Sequence, residues 1–186
     1  GIEENMDAWG IDVVLSAAQK CFGVPPGLAV LILSESAMAK RRSCDRIPAY
    51  YCDLLRWLPI MEDPSRYFST PCVNEIRAFY EGTRIIIEEG IHSRFMRHNR
   101  SARAIRSALL ELGFEFFTEE KYYADTISVV MIPEGLEDIP FRKTYYQNGV
   151  VVAGGLGQLA GRVFRMGHMG NLSCLLYTSP SPRDRT

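Results

Sequence analysis

The sequence predicts an α/β fold, and three features carry the prediction. Short apolar runs of strand length stand between turn signals, such as "LAVLILS" at Leu28–Ser34 and "ISVVMI" at Ile127–Ile132. Two long helical segments lie between them, ending near Gly90 and Gly113. The resulting order is strand, strand, long helices, strand, helix, strands, an α/β pattern without internal repeat. The first part holds too few strands to complete a sheet, so the chain reads as the tail of a larger protein.

Ile11–Leu15 is expected as the first strand and Leu28–Ser34 as the second, both as buried runs, with "GVPPG" as a loop of two φ-locked residues and one permissive one. Lys40–Ile47 is charged and reads as an exposed connection. "STP" at Ser69–Pro71 predicts a helix start, with Thr70 as cap and Pro71 in the first helical position. That helix runs to about Glu89. The next runs from about His92 to Leu112, with Phe95, His98, Ala102, Ile105, Leu109 and Leu112 on one stripe and Gly113 placed to end it. Ile127–Ile132 is a strand and Phe141–Gln147 a short helix closed by "NG". Val150–Ala153 and Arg162–Met166 are expected as strands separated by "GGLGQLAG".

Composition narrows the function. At 47% hydrophobic residues there is material for a sizeable core. A net charge of -1 gives no basic surplus, which argues against nucleic-acid and anionic-membrane partners. No apolar run reaches the roughly 18 residues of a spanning helix. Five scattered cysteines without a CxxC pair point to a reducing, cytoplasmic compartment. The chain does not begin with Met and opens without a signal peptide, so targeting information could lie upstream. His92, His98 and His168 are too far apart in sequence to propose a metal site, and Cys21 has no adjacent base to activate it. The end, "CLLYTSPSPRDRT", resembles the translation of a sequencing adapter, since the codons TGT CTC TTA TAC ACA TCT read C-L-L-Y-T-S. Residues 173–186 are therefore read as a non-native tail, the alternative being a natural disordered one.

The stretch "DVVLSAAQKCFGVPPG" raises a question about Lys20. A lysine ending a buried strand is costly unless its amine is used or reaches water. Amine catalysis is one use: an amine kept partly out of water can form a Schiff base, as pyridoxal phosphate (PLP) enzymes require. From spacing alone, a solvent-reaching lysine is the commoner reading. Arg165, in the strand "RVFRM", has a planar fork suited to a carboxylate; by itself it could equally pair with an internal Asp or Glu.

Four ordered blocks change those odds. They are "MDAWGIDVVLSAAQKCFGVPPGLAVLILSE", "YFSTP", "EEGIHSRFMRH" and "GGLGQLAGRVFRMGHMGN". Together they resemble the class V PLP-dependent aminotransferases, nearest the alanine–glyoxylate and serine–pyruvate branch, over about residues 3–172. The resemblance implies a PLP-dependent transferase of fold type I: residues 1–88 finishing the large cofactor domain and 89–172 forming the small C-terminal α/β domain. Lys20 then matches the lysine that holds PLP and moves the substrate's Cα proton, and Gln19 matches the side chain that bonds the cofactor phosphate. Cysteine desulfurases of the same class carry His before the lysine, so Gln19 favours transamination. Tyr67 and Thr70 match residues that reach the partner subunit's PLP phosphate in a homodimer; the alternative is that Thr70 only caps and Tyr67 only packs. Arg165 matches the arginine that grips the substrate α-carboxylate. Asp7 and Asp12 match positions read as structural. The activity implied is amino transfer from a small amino acid, alanine or serine, to a small 2-oxo acid, glyoxylate or pyruvate. The alternatives are a lyase or desulfurase of the same class, or a catalytically inactive dimerisation module. The pyridine-nitrogen aspartate, the ring-stacking residue and the main phosphate loop lie upstream of the matched blocks in that family.

Overall fold

A computed structural model describes residues 1–172; the expected non-native tail lies outside the described residues. Strand β1, Val13–Ala17, pairs antiparallel with β2, Ala29–Leu33, Val13 facing Leu33 and Ala17 facing Ala29. The first strand thus begins two residues later than expected. The Ile11 N–H is taken by Met6 O in the preceding turn, and pairing begins only once Ser34 N–H reaches Asp12 O. Nor are these buried strands. Leu15 is 68% and Ile32 54% exposed, because nothing in the described chain covers that apolar surface.

Two helices follow that the sequence reading missed. Ser34 caps α1, Glu35–Arg42, accepting from Ala37 N–H at 3.0 Å, so Lys40–Arg42 are helical rather than connecting. Asp53 caps α2, Leu54–Glu62, and its carboxylate accepts from Nε and one terminal nitrogen of Arg41. Pro59 inside α2 hid the helical signal. Helix α3, Val73–Glu89, begins at Cys72 without a side-chain cap. Thr70 is therefore no cap and Pro71 not its first residue. Instead Pro71 O accepts from Val73 N–H in a tight turn at Cys72, which leaves the "STP" segment outside the helix.

Gly90 joins α3 to α4, Ile91–Glu111, with φ +82°, a conformation that glycine adopts without strain. The α4 stripe is more polar than expected. Arg94, His98, Ser101 and Arg106 are buried beside Ala102 and Leu109, whereas Leu112 is 73% exposed, past the last helical turn.

The second sheet is antiparallel in the order β3–β5–β4: β3 is Ile127–Met131, β5 Val163–Gly167 and β4 only Ala153–Gly154. Val150–Val152 stay out of it, since Val150 N–H is used by Tyr145 O to close α5, Asp138–Gln147. Leu109, Val130, Phe164 and Met166 form the core between this sheet and its helices. All of β1–β2 precedes Gly90 and all of β3–β5 follows it.

Candidate functional site

Lys20 sits three residues past β1, in a tight turn. Its N–H donates to Ala17 O at 3.1 Å, and its own carbonyl accepts from Gly23 N–H at 3.0 Å. Ala18, fully buried, anchors the turn, while Gln19 and Lys20 face outward with no side-chain partner among the described residues. Among the described residues, no ion pair is spent on this amine.

The turn rests on residues 168–171. Gly170 has φ +80°, and a Cβ there would lie 3.1 Å from Lys20 O and 3.3 Å from Gly23 Cα, so only glycine lets the two backbones meet. Cys21 Sγ lies 3.8 Å from Met169 Sδ. This segment leaves directly from β5, whose middle residue is Arg165, facing Val129 on one side and Ala153 on the other. Arg165 is half-buried. Its Nε donates to Gly154 O at 2.8 Å, and its terminal nitrogens have no partner among the described residues. The internal carboxylate that would have made it a structural ion pair is absent there.

Tyr67 and Thr70 are exposed, in the irregular segment ahead of α3. The chain after Lys20 packs on the middle of that helix. Phe22 meets Phe79 with ring centroids 4.7 Å apart, and a Cβ on Gly82 would strike Phe22 O and Val24. Gly82 lies about 14 Å along the axis from Val73, at 1.5 Å per residue. The structure thus joins the Lys20 turn to the exit of the Arg165 strand. No hydrogen bond or ion pair joins either to Tyr67 or Thr70 among the described residues.

A buried polar cluster holds this junction. Glu89, at the end of α3, pairs with Arg97 at 2.6 Å and Arg94 at 2.7 Å, and these guanidiniums hold its carboxylate down at about 2. Arg94 also donates to Cys21 O at 2.7 Å and Asn171 Oδ1 at 3.0 Å. Arg97 donates to Gly170 O, and His98 lies between Gly170 O and Gly1 O. Sequence reasoning passed over Arg94 and Arg97. The signal was there: Arg94 falls on the same 3.6-residue stripe as His98, Ala102 and Leu109, a position where an arginine must be buried.

Deeper in the same region His168 is 1% exposed, between Ser128 Oγ and Asp125 O, each at 3.0 Å. Burial pushes its pKa down to about 4, opposed by the hydrogen bond to Asp125 O and helped by the neighbouring Arg106 and His98. A shallow groove between α5 and the segment before β4 is lined by Ile139, Lys143, Tyr146 and Val151, and neither Lys20 nor Arg165 borders it.

No protein-family model matches the chain. Individual relatives do. It is 38% identical, over 89% of its length, to an uncharacterized aminotransferase of Methanocaldococcus jannaschii, of which it covers 43%. It is 31% identical to the serine–glyoxylate aminotransferase of Hyphomicrobium methylovorum, over 92% of this chain and 43% of that one. Among solved structures, an alanine–glyoxylate aminotransferase from Nostoc sp. superposes with a TM-score of 0.85 at 30% identity, covering 92% of this chain and 46% of that one. The chain spans about half the length of the relatives it matches. These matches each cover about nine-tenths of this chain, and the chain belongs to the PLP-dependent aminotransferases of the alanine–glyoxylate and serine–glyoxylate type.

Proposed function

We propose that the whole protein transfers an amino group from a small amino acid, alanine or serine, to a small 2-oxo acid, glyoxylate or pyruvate. The observation that carries this is the junction itself. A lysine amine that faces outward, without a partner among the described residues, stands on a turn whose backbone is packed on the exit of the strand holding Arg165, a guanidinium whose terminal nitrogens have no partner among those residues.

The donor set fits PLP. That group supplies a carbonyl carbon that links to amines and a ring that takes up electrons from the substrate. Lys20 would hold the group and, once released, take the proton from the substrate Cα. Gln19, exposed beside it, would donate an amide N–H to the phosphate. Arg165 would take the substrate α-carboxylate in its two terminal nitrogens, while the Nε bond to Gly154 O fixes the plane of the fork. Tyr67 and Thr70, displaced along α3, suit the phosphate of a partner copy, so the active unit is read as a homodimer.

The two sheets divide at Gly90, which supports residues 1–88 as the end of the large domain and 89–172 as the small one. Cys21, Cys44, Cys52 and Cys72 are free thiols, which supports a reducing, cytoplasmic setting. No helix among the described residues is long and apolar enough to cross a membrane. Borohydride treatment of the whole protein with PLP should fix the cofactor on the peptide containing Lys20, and Lys20→Ala should abolish turnover with the fold retained. Label on another lysine would end the assignment.

A further inference from the structure

We infer that Arg94 is a positioning residue for Lys20. It fastens the lysine's turn to the segment leaving the Arg165 strand, so that the amine and the guanidinium keep one frame. The inference rests on the reading of Lys20 as the cofactor-bearing amine.

Arg94 is the largest fully buried side chain among the described residues, at 1% exposure. Burying a guanidinium is costly unless its N–H groups are used, and an apolar residue of similar volume often serves the core as well. Here one arm goes to Glu89. The other goes to Cys21 O, the carbonyl directly after Lys20, and to Asn171 Oδ1. Nε is left without a partner, so the side chain is placed for these bonds and not for its own full satisfaction.

The contacts form a bridge with two footings. On one side are Cys21 and Gly23, the latter's carbonyl reached by Asn171 Nδ2 at 3.4 Å. On the other are Gly170 and Asn171, just past β5, with Arg97 and His98 holding Gly170 O from the same helix. The turn has little stiffness of its own. It is exposed at Gln19, Lys20 and Gly23 and closed only by main-chain bonds. Phe22 and Val24 seat the turn on α3, and Arg94 with the Gly170 contact fixes it against the segment that leaves the Arg165 strand. A reacting amine displaced by about 1 Å loses on the order of a hundredfold in rate.

The test uses the whole protein loaded with PLP, after borohydride labelling has placed the cofactor. Label away from Lys20 overturns the functional reading and this inference with it; label on Lys20 leaves the inference to stand or fall by itself. Arg94→Lys is then compared with Arg106→Lys. Arg106 is a second buried arginine of α4, bonded to Ala124 O and Ser128 and not to the lysine's turn. For Arg94→Lys, kcat should fall about tenfold or more while KM for the amino acid stays within about threefold. The pH midpoint of the bound cofactor's visible absorbance should shift as well. Arg106→Lys should lower the thermal midpoint comparably and move neither. Asn171→Ala keeps the Glu89 pair and removes one footing from an exposed position, so it should fold normally and change kcat and the absorbance midpoint in the same direction, less strongly. Equal effects of the two arginine changes on kcat and on the absorbance midpoint would overturn the inference. So would an Arg94 effect confined to thermal stability, or no effect of Asn171→Ala.

Discussion

The two sheets of this chain are built from similar apolar strands and meet different fates. β3–β5–β4 lies under α4 and α5, and Val130, Val163 and Phe164 are wholly buried there. β1–β2 has comparable residues in "VVLSA" and "AVLIL", yet Val13, Leu15, Leu31 and Ile32 are about half exposed or more. A strand pair gains main-chain bonds by itself, but its apolar side chains are buried only when a second layer covers them. The C-terminal region supplies both layers. The N-terminal one supplies half of a layer and the lysine. The covered core and the lysine turn thus lie in different regions, and the Arg94 cluster joins them.

That contrast can be tested from its strongest side downward. Phe164 packs against Phe114, Phe141 and Tyr145, with centroids 5.2 to 5.8 Å away. Phe164→Ala should cost about 3–5 kcal/mol in denaturant unfolding. A loss under about 1 kcal/mol would show that the second sheet is not the stable region.

His168 gives that region a pH dependence. Its folded pKa, about 4, lies below the ordinary value of 6.5, so the unfolded chain binds the proton more readily between those two values. Stability should be constant above pH 6.5 and fall by about 3 kcal/mol as pH drops from 6.5 to 4. Chemical unfolding across that range should show the slope in the native protein and a flatter curve in His168→Gln. An identical slope in both would assign the loss to other groups.

Arg165 lies on this stable sheet, and its proposed role is to bind the substrate α-carboxylate. Arg165→Ala should weaken amino-acid binding by about 1.5–3 kcal/mol and leave cofactor affinity nearly unchanged, measured by equilibrium titration of the whole protein. Equal loss of both would make it a structural arginine. The smallest effect is expected at Leu15, 68% exposed. Leu15→Ala should change the unfolding free energy of the 186-residue chain by less than about 0.5 kcal/mol. In the whole protein it should cost about 2–5 kcal/mol if a further layer covers this face. Equal costs in both settings would remove the idea that the first sheet awaits cover.

What the sequence determined by itself was local. Gly90 and the apolar period around it marked the break between α3 and α4 because a left-handed linker and a 3.6-residue repeat are written in neighbouring residues. "ISVVMI" marked β3, and the blocks around Lys20 and Arg165 carried the family. Local signals also misled. "STP" has the residues of a helix start, but the chain turns helical only after Cys72, and Pro59 masked α2 although Asp53 caps it. Only the tertiary structure decided which faces are covered. "VVLSA" and "VFRMG" are alike as strings, and one is exposed while the other is the core. It also decided that Arg94, seventy-three residues from Cys21, holds that carbonyl. Burial and long-range hydrogen bonds depend on what packs against a residue, and that partner is supplied by distant chain, not by the residue's neighbours in sequence.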